Sequence, residues 1–293
     1  MRSTLRKCGM AALVSAFAAS GVVYAKPAKK KTAAAAAPAV EASAKAVAPA
    51  AKPLSTAEVQ LALAALVGQD EDAARANAAK LAEAGSGNVA AADALIEALA
   101  LGTSPQLAVD FVKALGALKH PKSLQILALY ASNRHPEVRV AAVNALAAMP
   151  EDGAAGVLLE RLGDQDASVR AAAAAGLATR KDARASDRLW KLVQRSDAGA
   201  AAAFGQLGAL DYAPKVAELR GTIDDATLAG ALGEFLKRPD ANDRLRVDLV
   251  RTLGRVPGAE ATTALVEYVS TVPEGDARPS KEEAETLIEQ RSR

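Results

Sequence analysis

The residues that could carry out chemistry are few, and their spacing argues against a catalytic or metal site. His120 and His135 are the two histidines of the chain, and each precedes a proline in a short break between helical segments. A zinc site takes three or four ligands, most of them Cys or His, and the single cysteine, Cys8, lies close to the N-terminus. The sequence therefore predicts no metal ion and no cofactor.

Motifs that activate a nucleophile or bind phosphate are also missing. The chain has no G-x-S-x-G and no G-x-x-x-x-G-K-[ST] pattern, and Gly85-Ser86-Gly87 lies between two helical segments, where it predicts a turn. The carboxylate pairs Asp224-Asp225 and Glu282-Glu283 stand at predicted helix N-termini, where negative charge is stabilised by the helix dipole. We predict no catalytic residue and no enzymatic activity.

The N-terminal 25 residues have the features of a secretory signal. Three bases open the segment: Arg2, Arg6 and Lys7. Cys8 to Ala25 is apolar or small throughout, and Val23 and Ala25 are small residues at the −3 and −1 positions of a cut before Lys26. We expect cleavage between Ala25 and Lys26 and a secreted or periplasmic protein without cysteine; an uncleaved membrane anchor is the alternative.

Residues 26–53 predict a disordered linker of low complexity, because they are almost entirely Ala, Lys and Pro. Residues 1–53 hold nine basic side chains and one acidic one, whereas residues 54–293 hold 27 basic and 33 acidic side chains. The net charge of −6 after residue 53 argues against nucleic-acid binding by the folded part. The basic linker could make weak contact with an anionic envelope surface.

Residues 54–293 predict an all-α domain. Aromatic residues make up 3% of the chain and alanine dominates the apolar residues, which excludes an all-β fold. Helical segments of 11–15 residues alternate with short breaks that contain Gly, Pro, Asp or Asn. No stretch alternates apolar and polar residues with the period of two that strands require.

An internal repeat of 31 residues organises these helices. Three pairs of residues show the spacing: Val138 with Val169, Arg139 with Arg170, and Leu146 with Leu177. The clearest units are 135–162 and 166–194. The match is fair over 104–132, 197–220 and 241–271, and weak over 56–101 and 222–238. Two helices with their turns occupy one period, and such pairs bury their apolar sides by stacking on one another. The sequence predicts an α-solenoid of about seven to eight antiparallel helix pairs.

The pattern D-x-x-x-x-V-R-x-x-A-A-x-x-L, best seen from Asp164 to Leu177, resembles the HEAT repeat, in particular the short HEAT-like repeats of the phycobilisome-lyase type. The resemblance implies that Arg139 and Arg170 bond acidic or carbonyl groups between adjacent repeats. Ala108 and Ala201 stand at the corresponding positions of the neighbouring units, which predicts a short ladder. The resemblance also leaves open a lyase- or oxidoreductase-like enzyme or enzyme subunit.

Trp190 and Tyr130 are the predicted partner-binding residues. Trp and Tyr are enriched at the energetic centres of protein interfaces, and both residues stand in second helices, which we expect to line the concave surface of the solenoid. The sequence thus predicts a non-enzymatic scaffold or adaptor of the cell envelope that binds an unidentified protein partner. A structural protein that holds an envelope polymer through residues 26–53 is a further alternative.

Overall fold

The computed structural model describes residues 56–66 and 70–292, and the regular secondary structure of these residues is entirely helical. The predicted signal segment 1–25, the linker 26–53 and the cut between Ala25 and Lys26 lie outside the described residues. Fifteen α-helices follow one another: α1 Thr56–Leu66, α2 Glu71–Ala82, α3 Val89–Leu101, α4 Pro105–Leu118, α5 Ser123–Tyr130, α6 Pro136–Ala147, α7 Asp152–Arg161, α8 Ala167–Thr179, α9 Ser186–Val193, α10 Ala198–Leu207, α11 Tyr212–Glu218, α12 Asp225–Lys237, α13 Asp243–Gly254, α14 Ala259–Thr271 and α15 Pro279–Arg291.

The helices form two rows. Even-numbered helices, from α2 to α14, pack side by side in chain order and make the first row, and odd-numbered helices make the second row. Each first-row helix is followed by a second-row helix, so α1 precedes seven helix pairs within the described residues. This arrangement confirms the predicted all-α solenoid of stacked helix pairs. None of the helices in the described part of the chain has the length and apolarity that a bilayer crossing requires.

First-row helices approach one another through glycine and alanine. A Cβ atom on Gly116 of α4 would lie 2.7 Å from the Cβ of Ala145 in α6, and one on Gly176 of α8 would lie 2.7 Å from the Cβ of Ala147. A Cβ on Gly199 of α10 would lie 2.5 Å from the Cβ of Ala171. These separations are below van der Waals contact, so the small residues set how closely successive pairs stack.

The repeated apolar residues form the core between the two rows. Val138, Leu146, Val169 and Leu177 are fully buried, as are the phenylalanines of α4, α10 and α12. Because one hydrophobic cluster runs from α1 to α15, each pair completes the core of its neighbours.

Polar residues end and begin the helices at most of the predicted breaks. The side chain of Asp224 accepts a hydrogen bond from the Thr227 N–H and caps α12, as its place in the sequence predicted. Gly85 and Gly87 have φ angles of 93° and 84°, a conformation that favours glycine, in the turn between α2 and α3.

The predicted unit 241–271 is out of phase with the structure. It pairs α13 with α14 and makes α13 a first helix, but α13 lies in the second row and follows α12. Arg246 follows the capping Asn242 by four residues, as Arg139 follows His135, although the two helices lie in different rows. Arg246 instead donates to the Leu236 and Arg238 carbonyls at the end of α12.

Candidate protein-binding surface

Four aromatic side chains meet where the helix pairs α8–α9, α10–α11 and α12–α13 join. The ring centroid of Phe204 lies 5.4 Å from that of Trp190, 5.5 Å from that of Tyr212 and 5.9 Å from that of Phe235, and the Trp190 and Tyr212 centroids are 5.3 Å apart. Phe204 and Phe235 are fully buried, whereas Trp190 and Tyr212 are half-buried. We call Trp190 and Tyr212, on the second-row helices α9 and α11, the aromatic edge. Tilted and edge-on ring contacts of this kind hold side chains in place.

The polar atoms of the aromatic edge have no partner among the described residues. Neither the indole N–H of Trp190 nor the hydroxyl of Tyr212 makes a hydrogen bond there. Lys215 Nζ lies 4.4 Å from the centroid of the Tyr212 ring and 3.7 Å from an oxygen of Asp211. Exposed Arg188 and Lys191 flank Trp190. The edge therefore offers aromatic area, two unpaired polar groups and a charged rim.

Tyr130, the second predicted anchor, joins two second-row helices. Its hydroxyl donates a 2.9 Å hydrogen bond to the Leu99 carbonyl, which connects α5 to α3. Burial raises the pKa of the Tyr130 hydroxyl above its ordinary value, and the side chain is half-buried. The structure does not bring Tyr130 and Trp190 together, because α7 lies between α5 and α9 in the second row. Their roles in binding a partner stay predictions.

Arg139 and Arg170 connect adjacent repeats. Arg139 Nε and Nη2 lie 3.0 and 2.9 Å from the two carboxylate oxygens of Asp164, and Nη1 donates to the Asn133 carbonyl at 2.9 Å. Both side chains of the pair are nearly buried, with 7% and 6% exposed. Arg170 Nε lies 2.5 Å from an oxygen of Asp197. These contacts hold successive pairs in register.

Sequence reasoning missed a second set of arginine contacts, in which an arginine at or near a helix end donates to carbonyl groups of the preceding repeat. Arg161 Nη1 donates to the Ala131 carbonyl at 3.3 Å, and Arg180 Nη2 donates to the Glu151 carbonyl at 2.9 Å. Arg238 donates to the Gly208 carbonyl in the same way. The arginines and their acceptors are 29–30 residues apart, close to one repeat, but every residue has a carbonyl and the arginines do not recur at that period, so no signal for these contacts was available in the sequence.

Two surface cavities are lined by charged side chains, and several of these are already paired. An open cavity of about 440 Å³ is lined by Asp152, Arg180, Asp182 and Arg184, and the hydrogen bond from Arg184 lowers the pKa of Asp182. A cavity of about 320 Å³ lies between α12 and α14. There Lys237 contacts Glu234 and Glu267, and although burial opposes it, these carboxylates raise the pKa of Lys237.

The histidines lie apart, in different turns. His120 Nδ1 accepts a 3.2 Å hydrogen bond from the Lys122 N–H, and His135 lies 3.5 Å from a Glu137 oxygen. Among residues 56–66 and 70–292, no group of three or more His, Cys, Asp or Glu side chains is arranged to hold a metal ion.

The two rows of stacked helix pairs and the arginine contacts between them define an α-solenoid. Residues 126–208 match the HEAT-repeat family. No curated protein is significantly similar to the chain.

Several solved structures are similar to the chain. A chain in the complex of CpcE and CpcF of phycocyanin lyase from Nostoc is 21% identical, with coverage of 86% of this chain and 99% of that chain and a TM-score of 0.45. Human deoxyhypusine hydroxylase is 16% identical, with coverage of 80% and 96% and a TM-score of 0.39. An engineered protein is 20% identical, with coverage of 78% and 77% and a TM-score of 0.39. Activity does not transfer between proteins at this level of similarity.

Proposed function

We propose that this protein is a non-enzymatic scaffold or adaptor of the cell envelope, which binds a protein partner along its second-row helices and centres that contact on the aromatic edge. The observation that carries the proposal is the pairing of two half-buried aromatic side chains with two fully buried phenylalanines. Interfaces depend on a few Trp, Tyr and Arg residues that are already fixed before binding.

The repeat architecture supports a binding role for the second row. A solenoid offers an extended surface, so that one partner contacts several repeats at once. Arg188, Lys191 and Lys215 lie exposed beside the aromatic edge, where they suit a polar rim around an aromatic centre. Placement in the envelope rests on the predicted signal segment 1–25 alone.

The experiment is chemical crosslinking in living cells with the full chain tagged at its C-terminus, followed by capture and mass spectrometry. We expect one dominant partner, and we expect Trp190→Ala to weaken its binding by about 2 kcal/mol, the cost of truncating a central aromatic residue. A peptide that begins at Lys26 in the same sample would support export and cleavage, and an intact Met1 on a membrane-bound product would support an anchor.

A pair of charge reversals separates loss of binding from loss of folding. Lys191 and Lys113 are both exposed, on the second row and on the first row respectively. We expect Lys191→Glu to reduce partner capture and Lys113→Glu to leave it unchanged. Equal capture by both variants and by Trp190→Ala would contradict the proposed surface.

A further inference from the structure

The first three second-row helices differ from the later ones in charge. Helices α1 and α3 contain three acidic residues, Glu58, Asp93 and Glu97, and α5 contains no charged residue. None of the three contains a basic residue, whereas α7, α9, α11, α13 and α15 all do. Lys122, at the start of α5, lies 3.0 Å from Asp93 and is paired with it. Arg161 of α7, which donates to the Ala131 carbonyl just after α5, lies 3.8 Å from Glu160 and 3.9 Å from Asp164. Glu97 has no ion pair within the described residues.

The same three helices carry most of the exposed large hydrophobic side chains of the described residues. Four of the five exposed large hydrophobic side chains lie on them, with between 46% and 73% of each exposed: Leu61, Val89, Leu101 and Leu129. The fifth, Val266, lies on α14 of the first row. Concentrated apolar exposure of this kind marks a binding surface. We call Leu61, Val89, Glu97, Leu101 and Leu129 the N-terminal acidic surface.

Contacts within the fold hold this surface together. Helix α3 packs against both α1 and α5. The hydrogen bond from Tyr130 to the Leu99 carbonyl joins the C-terminal ends of α3 and α5, beside Leu101 and Leu129. The ion pair of Lys122 with Asp93 joins the N-terminal end of α5 to α3. Leu101 and Leu129 therefore stand on helices whose relative positions are fixed at both ends.

We infer that the N-terminal acidic surface binds a basic amphipathic helix of a partner protein. Exposed leucines on neighbouring helices suit the apolar side of such a helix, which docks by inserting its own apolar residues between them. The negative charge of the surface suits the basic residues on its flanks and speeds the encounter. The same charge disfavours the other occupants, because nucleic acid, an anionic membrane and a second copy of this surface are all negative.

The probe is a synthetic helical peptide of leucine and lysine, titrated into the full chain, and the control peptide has glutamate in place of each lysine. We expect the lysine peptide to bind, the glutamate peptide not to bind, and added salt to weaken the complex. Leu101→Gln combined with Leu129→Gln should weaken binding about tenfold or more, and Glu97→Lys should weaken it and reduce its dependence on salt. These side chains are exposed, so the fold should persist, as circular dichroism would show.

Val266→Gln is the matched control, because it makes the same kind of change at an exposed apolar residue of the other row. Equal weakening by Val266→Gln, or equal binding of the two peptides, would overturn the inference. Self-association of the chain that disappears in the double leucine variant would also overturn it, in favour of a second copy as the occupant. Trp190→Ala should leave peptide binding unchanged, so failure of this inference can be told from failure of the proposed function.

Discussion

Ser123 is a buried serine at a position of the repeat where neighbouring units have alanine. At a spacing of 31 residues, Ala92, Ala154 and Ala185 stand at the same position as Ser123, and all four are fully buried. The Ser123 hydroxyl oxygen finds no hydrogen-bond partner among the described residues. A buried hydroxyl without a partner loses its hydrogen bonds to water and forms none within the protein, which lowers stability.

We therefore expect Ser123→Ala to raise the free energy of unfolding by about 1 kcal/mol, measured by urea denaturation. Ser186 is the control, because its hydroxyl donates to the Leu207 carbonyl at 3.2 Å. Ser186→Ala should lower the stability by about 1 kcal/mol through loss of that bond. Loss of stability in Ser123→Ala would show that the hydroxyl has a partner.

The Arg139–Asp164 pair is a second residue-scale feature with a measurable effect. Both charges are nearly buried and joined by two hydrogen bonds, so removal of the arginine would leave Asp164 without its compensating charge. We expect Arg139→Ala to cost about 3–5 kcal/mol of stability. Arg184 of the Arg184–Asp182 pair is exposed, so we expect Arg184→Ala to lower the free energy of unfolding by less than about 1 kcal/mol. Similar losses in the two variants would contradict the role given to burial.

At the scale of elements, close approach between first-row helices depends on glycine. A Cβ atom added to Gly116 would lie 2.7 Å from the Cβ and 2.9 Å from the Cα of Ala145. Because the contact includes backbone, the α4–α6 spacing would have to widen to admit a methyl group. Gly156, inside α7, has nothing within 4 Å of an added Cβ.

This difference predicts opposite effects for the same substitution. Gly116→Ala should lower the free energy of unfolding by about 1–3 kcal/mol through overpacking, whereas Gly156→Ala should raise it by about 0.5–1 kcal/mol through better helix propensity. Urea denaturation of the two variants and of the unsubstituted protein measures these changes in the free energy of unfolding. A gain of stability in Gly116→Ala would mean that the first-row helices are further apart than described.

The elements could be predicted where local signals and the repeat agree. Gly85, Asp224 and the prolines after the two histidines mark real helix ends, since each favours a turn or a cap for a local steric or hydrogen-bonding reason. The phase at 241–271 could not be predicted, because Arg246 of α13 and Arg139 of α6 both follow their N-cap residue by four positions although the two helices lie in different rows. Row membership depends on which helices pack together, and a motif of a few residues does not encode it.

The candidate site was predicted only in part. A period of 31 residues places Trp190 on a second helix, but it does not show that Phe204 and Tyr212, from the next pair, pack against its ring. Tyr130 has the same predicted role, but its hydroxyl donates a hydrogen bond to the Leu99 carbonyl near the end of the neighbouring α3. Exposure of leucine on α3 and α5 was not predicted, since the same residue type fills the core in other repeats.

At the scale of the whole molecule, charge pairing in the loops predicts sensitivity to acid. In three loops an arginine two residues away donates to an aspartate and lowers its pKa: Arg184 to Asp182, Arg238 to Asp240, and Arg278 to Asp276. A carboxyl group whose pKa is lower in the folded than in the unfolded state stabilises the fold above its unfolded pKa, near 4. That stability is lost as the pH falls below this value.

We expect the midpoint of urea denaturation to be lower at pH 3 than at pH 6, and we expect the triple variant Asp182→Asn, Asp240→Asn, Asp276→Asn to show a smaller difference between the two pH values. Circular dichroism at 222 nm, the helix signal, follows the transition. An equal or larger difference in the triple variant would show that other groups dominate the response to acid.

The central claim is that the second row of the solenoid, around the aromatic edge, binds a protein partner. Site-specific photocrosslinking in living cells tests it most directly, with the crosslinking residue placed at position 191 beside Trp190 and, in a matched protein, at position 175. Ala175 is exposed on α8 in the first row. We predict that position 191 yields one dominant crosslinked partner and position 175 yields none. A partner that crosslinks to position 175 and not to position 191 would contradict the account.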